Sequence, residues 1–329
     1  METLQISVAC IPTDRTRPVL DGHVSIDGCT VKPVTGEPED IFGPALREGA
    51  FDVAEMSMSS HILTTLRGDA KYVGIPVFTS RAFRHSSIFV RTDRGLRSME
   101  DLRGRRIGLP EYQQTAALWV RGIMSDQHGV SPRDVSWVTG GLNGPGHGER
   151  IPITLPPDIR MTSLGHDDNL SAALARGDLD AIIAPKPPAC FGDGKSPVDL
   201  MFPTYWNEEA DYARKTEFFP IMHCLALRRD LAEKHPWICG AIYRAFKTAK
   251  DNALKELTLT NVSRVSLPWL TQSLIQAKDA LGRRFWSYGF PDNERELQAM
   301  MRYAQECGLV SKEMPASCLF DRSTLALAD

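Results

Sequence analysis

One phrase occurs twice in this chain, and it constrains the fold more than any other feature. Leu46–Met56 read L-R-E-G-A-F-D-V-A-E-M, and Leu174–Ala184 read L-A-R-G-D-L-D-A-I-I-A. Each is the end of a polar helix, a glycine able to stop it, an apolar residue, an aspartate and an apolar run short enough to be a buried strand. Each run leads into residues suited to lining a pocket: Glu55–Ser60 after the first, Ala184, Pro185 and Lys186 after the second. Two copies predict two similar α/β lobes. Ligands of open α/β sheets bind at the carboxyl ends of strands, so two such ends facing one another would form a cleft.

A chain of 329 residues is too long for one compact core and fits two domains, or one domain with a large insertion. With 38 basic and 41 acidic side chains, no basic excess points to nucleic acid or an anionic membrane as partner. No apolar run is long enough to span a bilayer. Met1-Glu2-Thr3-Leu4 leads straight into the apolar pattern Leu4–Ile11, without a basic n-region or an apolar h-region, which reads as a cytoplasmic protein. Seven scattered cysteines with no C-x-x-C pair suit a reducing compartment and carry no zinc signature.

Strands are expected at Leu4–Ile11, Thr30–Val34, Val53–Met56, Val73–Val77 and Ser87–Val90, with helices at Pro38–Arg47 and Ser60–Leu66. Such alternation predicts a largely parallel sheet. A second unit follows: a capped turn at Ser98–Leu102, strands at Arg106–Leu109, Val135–Val138 and Ala181–Ala184, and helices at Thr115–His128 and Leu170–Arg176. Gly140–Pro157 is rich in glycine and proline and reads as a long loop. A strand at Met222–Leu227 then suggests that the chain crosses back, before helices at Pro236–Leu257, Pro268–Gly282 and Asn293–Cys307. Lobe one would be residues 1–92 and 222–329, and lobe two an insertion of residues 93–221.

Five segments place polar groups just past an apolar strand: Thr13–Arg17, Glu55–Ser60, Arg81–Ser87, Pro110–Thr115 and Phe218–His223. Arg84 offers a planar fork that matches a carboxylate, and His85 can exchange a proton near neutral pH. Both enter one pocket only if the chain bends there, because neighbours in an extended segment point to opposite faces. Glu111 to Thr115 opens a helix, where backbone N–H groups and the Thr115 hydroxyl suit an anion. Gly140 would let backbone approach a ligand closely. His223 lies in an apolar strand, and Glu55 ends a buried one, so Glu55 needs a partner; Arg15, Arg17 and Arg84 are candidates. Each of these also has a structural reading, as a core histidine, a helix-start carboxylate or a plain ion pair. The chain contains no G-x-S-x-G elbow, no H-E-x-x-H and no glycine-rich phosphate loop.

Taken in order, DRTR at Asp14–Arg17, FDVAEMSMSS at Phe51–Ser60, FRHSSIFV at Phe83–Val90, GLPEYQQTAALWVRG at Gly108–Gly122, WVTGG at Trp137–Gly141 and FPIMH at Phe219–His223 resemble the 4,5-dihydroxyphthalate decarboxylase family. The resemblance runs over nearly the whole chain. It implies an α/β, two-lobed clamshell like the type II periplasmic binding proteins, with a mixed sheet flanked by helices in each lobe and a cleft between them. It implies a cytoplasmic enzyme that removes one carboxyl group from a catechol dicarboxylate to give protocatechuate. Two departures stand out: Thr216–Pro220 reads Thr-Glu-Phe-Phe-Pro where the family pattern is Thr-Gly-Ile-Phe-Pro, and Gln114 stands where methionine is commoner.

The chemistry of such a reaction assigns expected roles. Arg15 and Arg84 would bind carboxylates, with Glu55, Ser57, Ser86, Thr115 and Gly140 completing the substrate contacts. His85 would protonate the ring, and His223 or Glu111 would deprotonate the phenol. No organic cofactor is expected; a divalent metal held by His85, Glu111 and His223 is the alternative. The expected partner is a small aromatic carboxylate, with neither nucleic acid nor membrane. The C-terminal helices could pack on lobe one or on a second subunit of a homo-oligomer. The rival reading is a non-catalytic binding protein handing an aromatic acid to a transporter, which the ionisable groups in the proposed cleft argue against.

Overall fold

The repeated phrase forms the same structure twice. In a computed structural model of the chain, which describes residues 3–259, 261–262, 264–282 and 284–329, each copy is a helix, a left-handed glycine and a buried strand. Met1 and Glu2, on which the expectation of no leader partly rests, lie outside the described residues.

Strand β1 (Leu4–Cys10) leads through helix α1 (Arg17–Leu20) to β2 (Cys29–Thr35), α2 (Pro38–Glu48), β3 (Val53–Ser57), α3 (Met58–Arg67) and β4 (Tyr72–Arg81). Then come β5 (Ile88–Arg91), β6 (Arg106–Leu109), α4 (Thr115–His128), β7 (Ser136–Thr139), β8 (Arg160–Ser163), α5 (Leu170–Arg176), β9 (Ala181–Ile183) and β10 (Val198–Leu200). The rest is α6 (Tyr205–Thr216), β11 (Ile221–Arg228), α7 (Arg229–Lys234), α8 (Ile238–Glu256), α9 (Leu270–Leu281) and α10 (Glu294–Glu306).

In the first copy, α2 begins at Pro38 behind a reciprocal cap between Glu37 and Asp40. It stops at Gly49, whose φ of 67° is costly for any side chain with a Cβ and whose N–H donates to Ala45 O. In the second, Asn169 Oδ1 caps α5 by accepting from Ala172 N at 2.9 Å, and Gly177 ends it at φ 87°. The aspartates also match. Asp52 accepts from Ser7 N on β1 at 2.8 Å, and Asp180 accepts from Arg106 N on β6 at 2.9 Å. Each carboxylate thus ties the start of one strand to its parallel neighbour, β3 to β1 and β9 to β6.

The chain divides into two compact units: residues 1–82, 213–298 and 314–329, and residues 83–212 and 299–313. The expected crossings at 92/93 and 221/222 need correction. β5 pairs antiparallel with β9 and β10, so residues 83–92 belong with the second sheet. Residues 299–313 also belong there, since Tyr303 packs edge-on against Trp119 at 5.7 Å and Cys307 Sγ accepts from Arg121 Nε at 3.2 Å. Helical periodicity marks a buried face but not which sheet buries it.

The first unit holds a five-stranded sheet ordered β2-β1-β3-β11-β4, and the second a six-stranded sheet ordered β10-β5-β9-β6-β7-β8. Both are mixed, not largely parallel as local alternation suggests. β11 runs antiparallel to β3 and β4, and β5 antiparallel to β9 and β10. Strand–helix alternation reports neighbours in sequence, and these pairings join distant segments. β3 is buried along its whole length, and so are Ala116–Met124 in α4, which reads as a helix packed on most of its circumference. β8 and β10, short and partly exposed, escape the hydrophobic signal. Among the described residues no helix is long and apolar enough to cross a membrane.

Candidate active site

In the first unit, β3 and β11 are antiparallel with His223 opposite Ser57 and Leu225 opposite Glu55. Residues two apart on a strand share a face, so Glu55, Ser57 and His223 project together. Glu55, 1% exposed, uses both carboxylate oxygens: Oε2 accepts from Ile11 N at 2.9 Å, and Oε1 meets His223 Nδ1 at 2.8 Å. With Nδ1 donating to this carboxylate, Nε2 is the ring nitrogen that Glu55 leaves available. Phe42 packs edge-on against the imidazole at 4.9 Å. The charge of Glu55 is felt nearby: burial first, and the carboxylate second, push the Cys10 and Cys224 thiols well above their ordinary range. Arg15, in the loop after β1, stacks over Trp286 at 4.0 Å, and its Nε donates to Thr79 O at 2.8 Å. Its Nη1 donates to Asp14 at 2.8 Å. Glu55 therefore takes His223 as partner, not Arg15, Arg17 or Arg84.

Arg81, expected in a polar loop, instead ends β4 and is buried. Its guanidinium donates to Glu296 at 3.1 Å, Phe219 O at 2.6 Å, Ser287 O at 2.9 Å and the Asn293 side chain. This knot lines a cavity of about 250 Å³ together with Arg284, Arg295 and Glu217.

In the second unit, the chain bends at Arg84 and His85 instead of running extended. Arg84, at ψ 8°, opens a 3₁₀ turn over His85–Ser87. His85 is 5% exposed and lies between the rings of Tyr212 at 5.5 Å and Phe202 at 5.9 Å. Burial, with a smaller push from His128, lowers its pKa to about 4, so the ring is neutral at pH 7. Its Nδ1 is buried with no hydrogen-bond partner among the described residues. Burial also lowers Arg84 to about 10, against the attraction of Glu209. Glu209, on α6, accepts from Ser86 N at 3.2 Å; burial raises its carboxyl, and the hydrogen bonds from Ser86 and the charge of Arg84 oppose that.

The other candidates of this unit lie in different surroundings. Glu111 Oε1 accepts from Arg150 Nη2 at 3.0 Å, an ion pair absent from the sequence reading. Thr115 is the first residue of α4 and is buried. Glu149 binds the backbone N–H groups of Tyr112 at 2.5 Å and Gln113 at 3.1 Å, just ahead of that helix. Gly140 lines a cavity of about 150 Å³ with Thr139, Ser163, His166 and Asp168, a set containing none of the other candidates. Glu209 escaped the sequence reading, although Tyr205, Glu209 and Tyr212 stand at helical spacing. Among the described residues, no three His, Cys, Asp or Glu side chains group as metal ligands.

A family model described as the periplasmic substrate-binding protein of a phosphonate ABC transporter matches residues 24–186. The periplasmic aliphatic sulphonate-binding protein SsuA from Escherichia coli superposes with a TM-score of 0.51 at 14% identity, over 99% of this chain and 100% of its own. SsuA from Methylobacillus flagellatus KT gives 0.52 at 15% identity, over 97% of this chain and 92% of its own. These likenesses define the fold: a periplasmic-binding-protein-like α/β protein with a mixed, helix-flanked sheet in each unit.

Two relatives narrow the class. A 4,5-dihydroxyphthalate decarboxylase from Comamonas testosteroni is 39% identical over 325 residues, 99% of this chain and 98% of its own. Another from Pseudomonas putida is 41% identical over 218 residues, 66% of this chain and 84% of its own. The chain belongs to the 4,5-dihydroxyphthalate decarboxylase family and is a carboxy-lyase.

Proposed function

We propose that this protein removes one carboxyl group from a hydroxylated aromatic dicarboxylate, with 4,5-dihydroxyphthalate as substrate and protocatechuate and carbon dioxide as products. The observation that carries this reading is the 39% identity to the Comamonas testosteroni decarboxylase over almost the full length of both chains. A hydroxyl para to the departing carboxylate pushes electron density into the ring. A proton adds at the carbon bearing that carboxylate, the carbon–carbon bond breaks, and its electron pair restores the aromatic ring as carbon dioxide leaves. One proton is taken up overall, and no organic cofactor is needed.

The residues support a division of labour. His223 hydrogen-bonds a buried carboxylate through Nδ1, which fixes the ring and aims Nε2 away from Glu55, so we assign the ring proton to His223. His85 suits the opposite task. A ring held neutral with an unpartnered Nδ1 accepts a hydrogen bond from a phenol better than it delivers a proton. This reverses the roles expected from sequence. Arg15 and Arg84 are the proposed carboxylate cations. The ion pair with Arg150 favours a structural part for Glu111. All seven cysteines are free, which supports a reducing, cytoplasmic compartment.

The test is to incubate the purified protein with 4,5-dihydroxyphthalate, phthalate and related acids, and to follow carbon dioxide and the ultraviolet spectrum. Release from 4,5-dihydroxyphthalate is expected, unchanged by a chelator. No release from any hydroxylated phthalate overturns the substrate reading, and loss of activity on chelation overturns the metal-free one.

A further inference from the structure

The turn that carries Arg84 and His85 is held by one face of α6. Positions three and four apart share a helix face, so Tyr205, Glu209 and Tyr212 line up along it. From that face Glu209 Oε1 accepts from Ser86 N at 3.2 Å, and the Ser86 hydroxyl adds a second hydrogen bond. The Tyr212 ring meets His85 at 5.5 Å and Phe83 at 6.4 Å. Glu209 is also the charge that attracts the buried Arg84 guanidinium. One carboxylate therefore grips the far end of the turn through its backbone and the near end through its charge.

We propose that Glu209 is a positioning residue for the decarboxylation, fixing the Arg84–Ser86 turn so that the Arg84 guanidinium is presented to the anionic substrate. This rests on the reading of Arg84 as a carboxylate-binding cation given above. A backbone N–H held at one end and a guanidinium drawn from the other leave the turn few alternative conformations. The ordering of the binding group then precedes binding and does not weaken it. Glu209 touches no reacting atom in this scheme. Its loss falls on substrate capture more than on the chemical step.

The experiment compares wild type with Glu209→Gln and Glu209→Ala in two readouts, steady-state decarboxylation of 4,5-dihydroxyphthalate and hydrogen exchange of the Ser86 amide. Glu209→Gln keeps an acceptor for Ser86 N–H and loses the charge; its near-identical shape guards against misfolding. For Glu209→Ala the expected result is a KM raised about ten-fold or more with kcat changed less than three-fold, and faster Ser86 exchange. For Glu209→Gln the Ser86 protection returns and KM recovers in part. Wild-type KM in Glu209→Ala, or Ser86 protection unaltered in it, overturns the proposal. An equal fall in kcat with KM unchanged also overturns it. If wild type does not decarboxylate this substrate, the substrate reading fails; if Ser86 protection is lost all the same, the hold stands without its catalytic consequence.

Discussion

Glu55 and His223 meet diagonally across two antiparallel strands, carboxylate Oε1 to imidazole Nδ1, at 2.8 Å. The pair is 168 residues apart in sequence and exists because β11 returns to lie beside β3. A carboxylate whose other oxygen is fixed by Ile11 N–H holds the ring in one tautomer and one orientation.

If this pair moves the proton, His223→Ala should lower kcat by roughly 10²–10⁴-fold, the usual worth of a placed acid or base. Glu55→Gln should also lower kcat while keeping the fold, because glutamine can still accept from Ile11 N–H. Carbon dioxide release under saturating substrate reads both. Full activity in either variant would remove the pair from the reaction.

The two buried histidines make stability depend on pH. Burial lowers both His61 and His85 to about 4, from an ordinary value of 6.5. The unfolded chain then binds protons between pH 6.5 and 4 that the folded chain refuses. Their contribution is complete above pH 6.5 and is lost as pH falls toward 4, on the order of 3 kcal/mol for each ring. Urea midpoints measured from pH 7.5 down to 4.5 should fall across that window. The fall should shrink when both positions are replaced by glutamine, and a flat profile in the wild type would contradict the assignment.

Arg81 and Glu296 form a buried ion pair at 3.1 Å, with side chains 1% and 6% exposed. Burial drives each toward its neutral form, and their attraction opposes this. Arg81→Met leaves a buried carboxylate without its cation and should cost roughly 3–5 kcal/mol in urea denaturation. Adding Glu296→Gln should recover part of that loss, since no lone charge then remains. Additive losses in the double variant would show that the two side chains do not act as a pair.

Asp52 and Asp180 do the same work in the two units, and their removal should read alike. Asp52→Ala strips acceptors from Ser7 N and Oγ, and Asp180→Ala strips the acceptor from Arg106 N. Each should cost about 1–3 kcal/mol for a donor left unpaired, seen as a lower melting temperature. Wild-type melting in both would reduce the repeated aspartate to a coincidence of sequence.

Much of the architecture was legible in the residues because it is local. A left-handed glycine after a polar helix and before a short buried run leaves few conformations open, and both copies of the phrase adopt the same one. The elements Arg106–Leu109, Thr115–His128 and Leu170–Arg176 follow from periodicity and capping alone. Sequence also brought out the residue types at the sites, because a glutamate in a buried strand demands a partner.

The identity of that partner was a tertiary decision. Glu55 has arginines nearer in sequence, yet it takes His223, because strand pairing sets which side chains share a face. Burial decided the rest. It made Arg81 a structural knot instead of a loop cation, held His85 neutral between two rings, and brought Glu209 beneath Ser86. Charge state and hydrogen-bond partner depend on solvent exclusion by distant segments, and solvent exclusion is a property of the packed molecule that no short stretch of sequence contains.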